Sequence, residues 1–286
     1  MYIPQFGAQA DLAVLWAVRI CCVGVALGSL ELLYRQRNLL SNTGLMSWVG
    51  LSLPRKLEDL PTVVRPLIKL MAPQAFYCVL LVRLGAASLL VVSAIILLSR
   101  STITFLVVVI LLSTFIHHLR LPIGTDGSDH MNAIVLTTGA VVLLVNDPKI
   151  YVLGAVFIAL QLSLSYAVAG VAKALSVEWR SGRSTSCILC TWTYGLPPVG
   201  EFLRSHPQLS RSVDWFVIAF EVSFPFAMFL PGRAWIAVLI TGLIFHLFNA
   251  LIMGLNTFLW AFASGYPPLV FAVFLFKYCR GHGVHL

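Results

Sequence analysis

The chain has 286 residues, of which 59% are hydrophobic and only 10% charged, and its mean hydropathy is +0.92. Soluble domains carry about 25% charged residues, so water is not the main solvent of this fold. The net charge of +8 comes from basic residues that sit mostly between apolar runs. Anionic headgroups and the positive-inside rule account for them there. No Lys/Arg array interleaved with aromatics points to nucleic acid, and the six cysteines form no secreted disulfide framework.

About 20 apolar residues of helix cross a bilayer, and eight such runs follow one another. They are Leu12–Tyr34, Gln74–Leu98, Ser101–His117, His130–Asn146, Ile150–Leu175, Val213–Leu230, Ala234–Met253 and Thr257–Phe276. The fold class is therefore all-α, a polytopic helical bundle in one membrane domain covering residues 1–286. The third and fourth runs are short, near the lower limit for spanning. The start, MYIPQFGAQAD, has no basic region and no small-residue cleavage site, so the first span is expected to be its own insertion signal. Two long connections, Arg35–Pro73 and Ser176–Ser212, fall on the same side of an eight-span bundle and hold most of the loop lysine and arginine. That places both loops in the cytoplasm and both termini outside.

An ionisable residue inside a span is costly, and so marks a candidate site. Arg19 and Arg83 read as snorkelling or ion-paired arginines, with Glu31 or Glu221 as partners. Lys173 follows Tyr166 and Gly170 at spacings of seven and three, which puts the three on one helix face. Gly170 leaves room there for a second helix. An amine kept from water can serve as a general base, and an amine at the interface is simply an anchor; both uses fit this spacing. His246 and Asn249 form a polar face that must meet a partner or a cavity, because lipid offers no hydrogen bonds. Glu221 precedes Pro225 by four residues, at a kink, and is either paired with Arg19, Arg83 or Lys173 or kept protonated. Asp126, Asp129 and His130 gather at the start of the fourth span. Their spacing lacks HxxxH or HExxH, so no metal is assigned, and helix capping with His130 facing a cavity is expected. Cys187 and Cys190 form a CxxC on the reducing side, a weak redox signal.

The ordered set Gln161, Tyr166, AGVAK at 169–173, Trp179 and Gly182, then FEVSFPFAMFLP and FHLFNALIMGLNTF, resembles the membrane domain of the vitamin K-dependent gamma-carboxylases, the HTTM family. The likeness covers roughly residues 116–269. It implies that Lys173 is the base that deprotonates a reduced quinone, that His130 assists from an earlier helix, and that His246 and Asn249 line the same cavity. The carboxylases carry a large extramembrane domain after the last span. The sequence read here ends soon after its last span, so carboxylation of glutamates in a propeptide-bearing partner is not expected. Smaller bacterial relatives of this type include helpers of secreted-peptide maturation and membrane-bound terpene cyclases of indole-sesquiterpene pathways.

The leading expectation is an integral protein of a bacterial cell membrane that transfers protons on an apolar isoprenoid or quinone-like molecule. In that reading Lys173 is the base, His130 and His246 relay protons, and Asn249 and Tyr166 orient the substrate. A reduced quinone is the cofactor that the resemblance implies. A cyclase needs none and would instead use protonated Asp129, Asp126 or Glu221. Aromatic faces such as Trp215, Phe258, Trp260 and Tyr266 would then steady a carbocation. The non-enzymatic alternative is an accessory protein with a secreted peptide as partner. Lys173→Ala separates the two classes.

Overall fold

The structure is a computed structural model that describes residues 3–39, 69–121, 126–192 and 195–282. Arg55, Lys56 and Arg65 of the first long connection lie outside the described residues, as do the side chains of Arg35 and Arg37. Twelve α-helices are described: α1 Gly7–Leu39, α2 Pro73–Val92, α3 Arg100–Arg120, α4 Gly127–Val145, α5 Pro148–Leu175, α6 Val177–Ser181, α7 Ser184–Leu189, α8 Pro197–Ser205, α9 Pro207–Ser223, α10 Ala234–Met253, α11 Asn256–Ser264 and α12 Tyr266–Gly281. A 3-10 segment, Phe224–Phe229, continues α9. Eight helical stretches are long and apolar enough to cross a membrane, with α9 plus the 3-10 segment, and α11 plus α12, each making one.

α1 is the central post. It packs against α2, α4, α5, α11 and α12. Its buried stripe, Ala10, Val14, Ala17, Val18, Cys21 and Val25, repeats every three or four residues, the period of one helix face. Small side chains on that stripe let neighbouring backbones come close, which matters where lipid gives helices no hydrophobic reason to associate.

The ends and breaks of the spans have local causes. The second span stops as an α-helix at Val92, short of Leu98. There Ser93 donates to Leu90 O at 2.6 Å and its own carbonyl takes Arg19 Nη2 at 3.0 Å. α4 begins with a capping box in which the Asp126 carboxylate accepts the Ser128 and Asp129 amides and the Asp129 side chain accepts the Asp126 amide; two otherwise unpaired helix-end donors are thereby satisfied. The last span is interrupted at Gly265, where Pro267 and Pro268 open α12 without amide donors to give.

Between α5 and α9 the connection is a compact turn of short helices. Asp214 of α9, fully buried, accepts the backbone amides of Ser184 at 2.9 Å and Thr185 at 3.1 Å, and the Thr185 hydroxyl. Ser210 donates to Gly182 O at 2.6 Å. These bonds tie α6 and α7 to the start of α9, and so fix the end of α5 that carries Lys173.

Candidate functional site

α5 crosses α9 at Gly170. A Cβ there would lie 2.6 Å from Val222 N and 2.9 Å from the Glu221 carbonyl carbon and Cβ. Only glycine permits this approach, and one helical turn further along α5 Lys173 meets Glu221. Its Nζ donates to both carboxylate oxygens, at 2.9 and 2.6 Å. The Glu221 side chain is 6% exposed and the Lys173 side chain 21%. On its other side the ammonium stands 5.2 Å from the Trp179 ring centroid, a cation–π contact from α6.

Seven residues earlier on the same face, the Tyr166 hydroxyl shares a 2.8 Å hydrogen bond with His246 Nε2 of α10 and lies 3.5 Å from the Tyr266 hydroxyl of α12. Gly242 makes this meeting of two phenols possible, because a Cβ at 242 would overlap the Tyr266 oxygen. Aromatic rings wall the group. Tyr166 stacks on Phe224 at 3.7 Å and meets Phe220 and Phe262 edge-on. His246 stacks on Phe262 at 4.5 Å. Its Nδ1 is buried and has no hydrogen-bond partner among the described residues. The ion pair and the Tyr–His pair are near enough to act on each other electrostatically, Lys173 on His246 and Glu221 on Tyr166.

The structure therefore gathers Lys173, Glu221, Tyr166 and His246 from α5, α9 and α10, with Tyr266 added from α12. Other sequence candidates stand elsewhere. His130 is exposed on α4, whose inward face carries Ser128, Met131, Asn132, Val135 and Leu136 instead. Asp126 and Asp129 are engaged in the capping box. Trp215 is exposed on α9. Trp260 packs across Gly24 of α1. Asn249 is half-buried near the end of α10, and its backbone carbonyl takes the Leu255 amide at 3.3 Å. Arg19 bonds Ser93 rather than a carboxylate, and Glu31 accepts from Asn256 at 2.9 Å. Cys187 and Cys190 are free thiols.

Phe220, Phe224 and Phe262 of the aromatic wall were missed in the sequence, where Phe258 and Tyr266 were named only as rings that could steady a carbocation. Phe220 and Phe224, and likewise Phe258 and Phe262, are spaced by four, the signal of a shared helix face. Among the described residues, no three His, Cys, Asp or Glu side chains lie close enough to hold a metal ion.

Residues 145–272 match the family model of the HTTM domain. That stretch contains Lys173, Glu221, Tyr166, His246 and Tyr266, and leaves α1 to α3 and most of α4 outside it. No curated protein and no solved structure matches the chain.

Proposed function

We propose that this membrane protein, with its HTTM domain over residues 145–272, is an acid–base enzyme acting on an apolar quinone-like or isoprenoid molecule beside Lys173. One observation carries the reading. A lysine–glutamate pair with short bonds sits next to a tyrosine–histidine pair, both mostly withdrawn from water, in a wall of aromatic rings. A salt bridge meant only to join two helices needs no such company.

The pair can take up one proton. As an ammonium and a carboxylate it is neutral overall, and moving the shared proton gives an amine and a carboxylic acid, which apolar surroundings disfavour less than water does. Accepting a substrate proton then leaves an ammonium beside a carboxylic acid. The ammonium's attraction to Trp179 helps hold that positive state. In this reading His246 Nδ1, which has no partner among the described residues, would bond a substrate oxygen, with Tyr166 fixing the ring from the other side. The resemblance of the chain to the carboxylase membrane domain supports the same assignment for Lys173.

A protonation-initiated terpene cyclase would need an acid aimed at an alkene. Asp126 and Asp129 are engaged in capping, and Glu221 is held by Lys173, so the geometry favours the base. The test uses purified protein in lipid nanodiscs with a naphthohydroquinone carrying an isoprenoid tail, and follows its consumption above the protein-free rate. Lys173→Arg keeps a cation opposite Glu221 but cannot surrender its proton. It should retain the wild-type unfolding temperature and lose about 100-fold or more in rate. Undiminished turnover by Lys173→Arg overturns the base assignment. Wild-type protein that leaves the quinol untouched yet converts a polyprenyl substrate would move the function to the cyclase class.

A further inference from the structure

Outside the matched domain, α1 to α4 enclose a second set of buried polar groups. α1 packs on α2 and α4, α2 on α3, and α3 on α4. Arg83 lies near the middle of α2, about 15 Å from its start at 1.5 Å per residue, and is 7% exposed. Every other arginine in the apolar spans for which a contact is described has an acceptor: Ser93 for Arg19, Asp11 for Arg100, Met71 O for Arg120. The Arg83 guanidinium has neither a hydrogen bond nor an ion pair among the described residues, and its Nε is fully enclosed.

Two further groups on α3 share this condition. His117 Nδ1 and Thr114 Oγ1 are buried without a partner among the described residues, and their spacing of three places them on one face. The His117 ring lies roughly parallel to Phe76 of α2, with ring centroids 6.3 Å apart, and is within electrostatic reach of Arg83. From α1 and α4, Cys21 donates to Asn132 Oδ1 at 3.2 Å. Asp129 also acts on Arg83 electrostatically, but its carboxylate bonds the Asp126 amide at 3.2 Å and forms no ion pair among the described residues. His118 and Cys22 complete the titratable neighbours.

We propose that the interior of α1–α4 is a binding site for a carboxylate, anchored by Arg83. An arginine only 7% exposed, whose enclosed Nε has no acceptor among the described residues, is costly to keep in a membrane span, because the bilayer core supplies no water to bond it. Its planar fork matches a carboxylate in two parallel hydrogen bonds, and the hydroxyl of Thr114 and the imidazole of His117 add neutral donors. A single cation opposed in part by Asp129 suits a monoanion better than a phosphate dianion. The depth of Arg83 excludes a lipid headgroup at its usual level. A carboxylate can arrive either on an acyl chain from the bilayer or as a small anion from water.

The experiment places purified protein in phosphatidylcholine nanodiscs and titrates in oleate or acetate, each labelled with carbon-13 at the carboxyl carbon, with methyl oleate as the uncharged control. Saturable binding is read from a distinct carboxyl resonance. Wild type should show it with oleate alone if the source is the bilayer, and with acetate as well if the source is water; methyl oleate should not compete. Arg83→Met should weaken binding about 30-fold or more, as loss of a buried charge partner does. It should unfold at or above the wild-type temperature, because it removes an unmatched charge. His117→Phe keeps the ring on Phe76 and should weaken binding less. Absence of a saturable resonance with either acid overturns the proposal, as does wild-type binding by Arg83→Met. A fall in the Arg83→Met unfolding temperature in ligand-free discs overturns it too, since the arginine would then be a structural member of the bundle.

Discussion

Replacing Gly170 by alanine adds one methyl group at the crossing of α5 and α9. The new Cβ would be 2.6 Å from Val222 N, where ordinary contact begins at 3.4 Å. The nearest atoms belong to backbone and to the Cβ of Glu221, so no flexible side-chain end can swing away. α9 must therefore move by about 0.8 Å, or α5 must bend. Strain of this kind costs about 1–3 kcal/mol, offset by about 0.5–1 kcal/mol from the better helix propensity of alanine. Gly85 of α2 provides the matched control, because a Cβ there meets nothing within 4 Å. Gly85→Ala should thus unfold at the wild-type temperature or slightly higher. Gly170→Ala should unfold lower, by about 2.5–5 °C for a mid-range net cost of about 1.25 kcal/mol, on the scale of about 2–4 °C per kcal/mol. Tryptophan fluorescence of the purified protein in dodecyl maltoside during heating gives both numbers. A second reading comes from the ion pair. The coupling between Lys173→Met and Glu221→Gln in a double-mutant cycle should shrink when Gly170→Ala is present, since the shift separates the two side chains. If Gly170→Ala melts at or above wild type, the close crossing is not what positions Glu221.

Asp214→Ala removes the acceptor of two backbone amides and one hydroxyl; it should cost about 2–4 kcal/mol and make the segment 176–206 the first site of limited proteolysis. His246→Phe keeps an aromatic ring against Phe262 and removes the bond to Tyr166, so stability should fall by about 1 kcal/mol, while quinol turnover in nanodiscs should fall much further. The Glu178 carboxyl, outside the spans, is held below the usual glutamate range by a hydrogen bond from its own backbone amide and one from Ser176. Its contribution to the α6 turn is then present above that range and lost as pH falls through the lowered value; Trp179 fluorescence should change on acidification in wild type and not in Glu178→Gln.

Hydropathy alone placed the eight spans, because a run of apolar residues long enough to cross a bilayer has few other uses. Where a span breaks is less visible. Pro225 announced a kink, and α9 gives way there to the 3-10 segment, yet nothing local told that Ser93 would bond Arg19 where α2 stops, since those residues are 74 apart in the chain. The same limit applies to the site. Tyr166, Gly170 and Lys173 declare a shared face by spacing, and Glu221 had three possible cations. Which cation it would meet depends on how α9 crosses α5, and no window of sequence holds both helices. The Tyr166–His246 bond joins residues 80 apart and was beyond reach for the same reason. His130 is the converse case, since its side chain is exposed where the sequence suggested that it faces a cavity. A histidine at a helix start attracts a functional reading, but the inward phase of α4 is set by Ser128, Met131, Asn132 and Val135, which leaves position 130 outside.

α10 has the smallest buried share of the eight candidate spans, and its main packing partners are α11 and the 3-10 segment after α9. Two of the devices that hold it are thus a short helix and a loosely wound turn containing Pro225. The hydrogen bond shared by Tyr166 and His246 therefore adds a side-chain tie between α5 and α10. The element that carries the histidine is thus the least enclosed of the eight candidate spans, which puts it toward the low-stability end of the bundle.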